Sequence, residues 1–427
     1  MRIGRLALLA LALLAGEGAM AGGFQVNLAS QKNNAMGHVG TGLALDQGSI
    51  FFNPGALTFV RDRGVVVGAS VAIARTAYRN EQGQDYLFKH PMSTPFQIYA
   101  GFGPKEGRWR AGLGIYTPAG STLAYGREWS GRYSLTDIRL IAGFIQPTVA
   151  YQVTDWLGIG AGFVYGIGYV NLEKDILAPF ADPATSRAHI KLESEKPASG
   201  IGFNAGIYLQ PTEKLSVGVS YRSKVDMKVE KDAGKVTVTN LPDVSAIRDN
   251  FAGAGKGFSA TLPIPATTSV GVGYRVSEDL TLAADFNFVQ WSAYEALEFN
   301  FEDKIGGSTT SRSVRDYQDV WIARLGASYR VVDALTLRAG GYFDKSPVRD
   351  GYITPETPDG DRLGLTGGLT WHAGEKVDVD LAYTFMNLKK RTQTQEDLVA
   401  NGVAADRVAG TYHTQLSIVG LGVNFKF

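Results

Sequence analysis

Val419-Gly420-Leu421-Gly422-Val423-Asn424-Phe425-Lys426-Phe427 closes the chain, and its period decides the fold. Apolar residues at 419, 421, 423, 425 and 427 alternate with small or polar ones at 420, 422, 424 and 426. A period of two puts one set on each face of a strand. In a soluble sandwich the apolar face would be core. In an outer-membrane barrel it faces lipid, and the polar face lines the lumen. An aromatic last residue on such a strand also resembles the assembly signal of bacterial outer-membrane proteins.

The same ruler fits upstream. Leu157, Ile159, Ala161, Phe163, Tyr165, Ile167 and Tyr169 alternate with a nearly all-glycine set. The pattern returns at 201–209, 215–221, 270–276, 280–288, 321–329, 335–343, 363–371 and 377–385, and more weakly at 65–73, 96–102, 110–116 and 140–151. Fourteen strands are predicted.

The connections alternate in length. Short turns fall at Pro104 to Gly107, Thr154-Asp155, Pro211 to Glu213, Ser277 to Asp279, Val332-Asp333 and Ala373 to Glu375. Between them lie long polar loops near 75–94, 118–137, 175–198, 231–265, 302–316, 345–361 and 389–411. Short turns on one side and long loops on the other, with an even strand count, is the outer-membrane pattern. A soluble sandwich does not sort its loops this way. The fold class is therefore all-β, a 14-stranded antiparallel up-and-down transmembrane barrel.

Ahead of the strands, Arg2 and Arg5, the apolar run Leu6 to Ala15 and Ala19-Met20-Ala21 read as a signal peptide over 1–21. Residues 22–63 are Gly-rich and lack alternation. A non-strand segment before membrane hairpins implies a plug in the lumen, with the barrel over 64–427. The 42 basic and 41 acidic residues supply no field for nucleic acid, and zero cysteines exclude disulfides and thiolate metal sites. Fifty-two Gly with 21 Phe, 19 Tyr and 6 Trp suits a barrel with interfacial aromatics.

Strand parity turns Lys174, Arg222, Arg275, Arg324, Arg330, Arg338, Asp285, Asp378 and Asp380 inward. The inward glycines are expected to leave free volume, and a basic group there would suit a carboxylate ligand. Tyr116-Thr117-Pro118-Ala119-Gly120 is either an ordinary loop start or a gap in the wall, with pairing to the following strand expected to lapse. Two loop stretches, Asp175 to Phe180 and Val244 to Phe251, have helical apolar spacing and could form an outer capture patch or pack on neighbouring loops. The five histidines show no metalloprotease spacing and no serine partner. Gly253-Ala254-Gly255-Lys256-Gly257 has the wrong spacing for a phosphate loop. Asp344, Asp350, Asp359 and Asp361 could hold Ca²⁺ but lack EF-hand spacing. Neither catalysis nor a cofactor is expected.

Gly23-Phe24-Gln25-Val26-Asn27, Asn53-Pro54, Trp291-Ser292, Asp344-Lys345-Ser346-Pro347-Val348 and Pro358-Asp359-Gly360-Asp361-Arg362 together resemble the FadL/TodX family of outer-membrane transporters. The likeness runs over essentially the whole mature chain. It implies passive uptake of hydrophobic molecules, long-chain fatty acids foremost, with alkanes or aromatic hydrocarbons as the alternative. A general porin for small polar solutes is the competing class, which the plug opposes. The resemblance implies loop capture, a lumenal pocket, movement of the hatch at Gly22 to Phe24, and sideways exit at Pro118, Ala119 and Gly120. Gly23, Phe24, Asn53 and Pro54 would belong to the plug, Asn53 and Pro54 shaping its fixed part.

A family pocket arginine matches Lys174, which keeps the charge but loses the bidentate fork. A family pocket lysine matches Gln318, with Arg315 the nearest cation. Lys174, Arg315 and Arg324 are thus the carboxylate candidates. The plug reads Asn53-Pro54-Gly55 where many members have alanine third. Implied partners are hydrophobic small molecules, outer-membrane lipid and the barrel-assembly machinery, for a monomer in the bacterial outer membrane.

Overall fold

Fourteen antiparallel strands close on themselves in the computed structural model, which describes residues 23–60, 62–89, 92–104, 106–177, 188–402 and 406–427. The signal peptide and Gly22 lie outside these residues. The strands are β1 (Gly64–Arg79), β2 (Asp85–Lys89 and Phe96–Phe102), β3 (Trp109–Ala124), β4 (Asp137–Thr154) and β5 (Leu157–Asp175). Next come β6 (His189–Ser194 and Ala198–Leu209), β7 (Leu215–Arg222 and Val225–Val229), β8 (Phe258–Ile264 and Thr267–Arg275) and β9 (Leu280–Val289 and Ala296–Ile305). Last are β10 (Ser308–Val314 and Val320–Val332), β11 (Leu335–Asp344), β12 (Arg362–His372), β13 (Val377–Leu388) and β14 (Gly410–Lys426). β14 pairs with β1 from Gly64↔Lys426 to Arg79↔Thr411, so the sheet has no free edge along that seam.

The alternation divides the wall as expected. Val67, Phe163, Ile201, Leu325, Val419 and Leu421 stand exposed on the outside, where lipid satisfies them. Trp109, Trp156, Trp371 and Phe427 gather near the short-turn end, as an interfacial girdle requires. Arg330 is corrected: it is exposed at that end, bonded to Asp279 at 2.8 Å, and Arg275 is exposed there too.

The long loops contain more structure than their polarity suggested. The loop expected at 302–316 is instead a protruding hairpin. Its strands turn through Gly306 and Gly307, both with positive φ, the geometry a two-residue hairpin turn demands. The stretch from Val244 forms a helix, α3 (Ser245–Asn250), counted after the plug helices below; it buries Ile247, and Phe251 just beyond it is buried too. Of 175–180, Asp175 ends β5, 176–177 are irregular, and the rest lies outside the described residues.

Residues 23–60 form the plug, with short helices α1 (Gln31–Asn34) and α2 (Ser49–Phe52) and a 3₁₀ turn at Pro54–Phe59. Many of the inward glycines do not leave free volume but are where the plug touches the wall, while Gly168 lines a cavity. A Cβ at Gly218 would lie 1.8 Å from the Thr41 carbonyl, and one at Gly206 2.1 Å from Asn53 Oδ1. Gly326 meets Met36 and Gly420 meets Gln31 in the same way. Polar anchors complete the fit, because buried backbone groups need partners. Asn53 Nδ2 donates to the carbonyls of Thr41 and Ile207, both at 3.0 Å. Lys32 Nζ reaches Asp378 at 3.0 Å. Asp285 Oδ2 accepts from the amides of Gly40 and Thr41 at 2.8 and 2.9 Å.

Candidate functional site: an apolar cavity above the plug

The plug ends upward in a tip that borrows the edge of β3. Val26 N donates to Pro118 O at 2.8 Å, and Gly120 N donates to Phe24 O at 3.0 Å. Gln25 and Ala119 form the intervening antiparallel bridge. That edge is free because of the sequence around Pro118. β2 and β3 pair only as far as Gln97↔Tyr116. Above this, β2 stays on β1, through Ala72 and Ser93. The expected lapse toward the following strand is corrected: β3 and β4 shift by one residue between Tyr116 and Ala119, then pair on to Ala124↔Asp137. A one-residue insertion of this kind is a β-bulge. The interruption lies toward β2 instead, capped above by Phe88, Tyr125 and Trp129, whose rings pack at 4.2–5.6 Å.

Phe24 is held edge-on by Trp291 and Tyr294, at 4.9 and 5.6 Å. Gly23 has φ 63°, and a Cβ there would lie 2.5 Å from the Trp291 ring. Its amide donates to Asp359 Oδ2 at 3.3 Å. The tip thus touches the β2–β3 interruption, the break in β9 at Trp291, and the loop after β11.

Phe24 is also the floor of an apolar cavity. Ala119 borders it on one side, Leu140 and Val170 on β4 and β5, and Met227, Leu262 and Phe299 on the upper sections of β7, β8 and β9. Large apolar side chains facing each other across a lumen leave space that water fills poorly, the ordinary setting for a hydrophobic ligand. Among its described lining residues the sole charged side chain is Glu356.

Glu356 is paired to Arg315. Arg315 has no exposed surface, and its other amino group reaches Asp406 at 2.8 Å and Ser313 at 2.5 Å. Glu356 and Asp406 sit in loops between strands, and Arg315 lies in the break between the two sections of β10. Burial pushes the Glu356 carboxyl above its ordinary value, and Arg315 offsets this only in part. For Asp406 burial acts the same way, but Arg315 and Ser313 more than reverse it. Lys174, half-buried at the top of β5, is close enough to act on both carboxylates.

Arg324 is elsewhere. It lines a second chamber of mixed polar and apolar walls below the tip, with Gln25, His38, Arg222, Asp285, Phe51 and Ile322. Its Nε donates to Asn287 at 2.8 Å. Lys174 and Arg315 therefore both act on Glu356 at the edge of the upper cavity without lining it, and Arg324 lines the other space. Gln318 bonds the 346–347 segment and lines neither space. Asp344 and Asp359 pair with Arg362, Asp361 with Lys345 and Asp350 with Arg391, and no metal cluster occurs among the described residues.

A family model described as "Outer membrane protein transport protein (OMPP1/FadL/TodX)" matches residues 12–427. The chain belongs to this family. FadL/TodX members are outer-membrane transport proteins, and the bacterial outer membrane is where this barrel resides. The long-chain fatty acid transport protein of Escherichia coli O6:H1 is 24% identical over 419 residues, covering 87% of this chain and 88% of that protein. The crystal structure of a Pseudomonas aeruginosa FadL homologue superposes with a TM-score of 0.81 at 19% identity, covering 95% of this chain and 100% of that one. The Pseudomonas putida toluene transporter TodX superposes at 0.67 and 17% identity, covering 96% and 99%. At these identities the structures establish a shared fold.

Proposed function

We propose that this protein is a passive channel that takes hydrophobic molecules, long-chain fatty acids foremost, from outside the cell into the outer membrane. The observation that carries the reading is the apolar cavity whose floor, Phe24, is hydrogen-bonded into the interrupted edge of β3. A ligand filling the cavity competes with Phe24 for its place against Trp291 and Tyr294. Once the tip withdraws, the edge at Pro118, Ala119 and Gly120 loses its partner and the wall opens toward lipid. Sideways exit keeps the acyl chain out of water, where each exposed CH₂ costs about 0.8 kcal/mol. The cations behind Glu356, Lys174 and Arg315, favour a carboxylate head. Alkanes or aromatic hydrocarbons are the second reading, favoured by the pairing of Arg315 with two acids. Uptake of labelled oleate by a strain lacking its own transporter is expected to rise well above the empty-vector level; no rise would sink the fatty-acid reading.

A further inference from the structure

We propose that Glu356 is a stand-in for the ligand's carboxylate, holding the Arg315 donor until a fatty-acid head displaces it. The proposal rests on the fatty-acid reading above and assigns the residue that sets its head-group selectivity.

Position is the first support. Glu356 is the point at which charge meets the apolar cavity, and its oxygen sits on Arg315 Nη2. Arg315 is wholly enclosed, so a ligand in the cavity meets that guanidinium by way of the place Glu356 holds. The two acids on Arg315 are also unequal. Asp406 bonds Nη1 from another loop and does not line the cavity, so it suits a permanent counter-ion. Glu356 shares the cavity with the ligand, and its burial disfavours its charge.

The surroundings let Glu356 leave without unfolding its loop. Tyr125 Oη donates to Pro355 O at 2.6 Å, and Thr354 bridges to Thr357, so the backbone on both sides is fixed. Displacement then needs only a side-chain rotation. Lys174 lies near enough to give the displaced carboxylate a new partner. The contact on Arg315 Nη2 is a charge-assisted one, and exchanging one carboxylate for another preserves it.

The test compares oleate with oleyl alcohol, which shares its chain but lacks the charge, on the purified full-length barrel. E356Q is expected to bind oleate about tenfold tighter than wild type, with the alcohol changed less than about twofold. D406N removes the same charge from a group that does not line the cavity, and is expected to leave oleate affinity within about twofold. Heat-dependent electrophoretic mobility confirms that each variant is folded. The proposal fails if E356Q leaves oleate unchanged, tightens both ligands alike, or is matched by D406N. Wild-type oleate binding with no gain in E356Q overturns the stand-in alone. Binding of the alcohol but not of oleate by both wild type and E356Q overturns the fatty-acid reading with it.

Discussion

The plug's body and its tip sit in the same barrel but are held by different physics. The body, around Gln31 to Phe59, presses backbone against glycine-lined strands and closes its polar groups with side chains such as Asn53 and Asp285. The tip, Gly23 to Val26, hangs on a few backbone bonds and two aromatic edges beside a cavity. A body bonded on every side must move as a block or not at all. A tip bonded along one strand edge can leave by itself. Asn53-Pro54-Gly55 accordingly belongs to the fixed part, and Phe24 to the part a ligand can shift.

The sharpest way to break that contrast is to tether the tip. Gln25 and Ala119 are directly opposed across a bridge, and the chain has no cysteine of its own. Opposed antiparallel positions suit a disulfide. Oxidised Q25C/A119C is expected to lower oleate uptake at least tenfold, back to the empty-vector level, and reductant to restore it. Full uptake by the oxidised protein would mean that the tip does not gate.

The body should answer to volume instead. Gly218→Val would drive a side chain into the Thr41 carbonyl, backbone that cannot rotate away. Overpacking of this kind costs about 1–3 kcal/mol, here toward the upper end, and displaces the plug. The expected outcome is a lower melting transition in detergent together with new leakage of small polar solutes in a vesicle swelling assay. Ala198→Val, a somewhat smaller addition that only trims the upper cavity, should leave both readings near wild type. Equal effects at the two positions would erase the distinction between the halves.

This contrast also marks how far the sequence could be read. Period-two alternation and alternating loop lengths carried the barrel, because lipid outside and a lumen inside leave few other patterns. The fourteen strands and the seam from β14 to β1 agree with that reading. The same periodicity says that Gly206 and Gly218 face inward, but not what they face, so glycines filled by the plug looked like empty wall. Pro118 signalled the interruption, yet which neighbour it loses depends on β2 keeping to β1, a long-range fact. Glu356 had no signal at all. It lies in a polar loop, spaced like a surface residue, and becomes part of the cavity only because Tyr125 and Arg315, far off in sequence, fold over it.

The smallest expected effect concerns the roof, and its sign follows from the two acids on Arg315. Glu356 has a raised carboxyl in the folded protein, above its ordinary 4.5. Between that raised value and 4.5 the folded state binds the extra proton, so acidification from neutrality into this window favours the fold. Asp406 is held below its ordinary 3.8, and its contribution is present above that value and lost as pH falls through the lowered one. Amide exchange over 354–359, corrected for intrinsic rate, should therefore stay level or slow from pH 7 to about pH 5 and quicken only below about 3.8. Earlier loosening would mean that Glu356, and not Asp406, is the acid that holds the roof to Arg315, and would remove the asymmetry on which an exchangeable carboxylate depends.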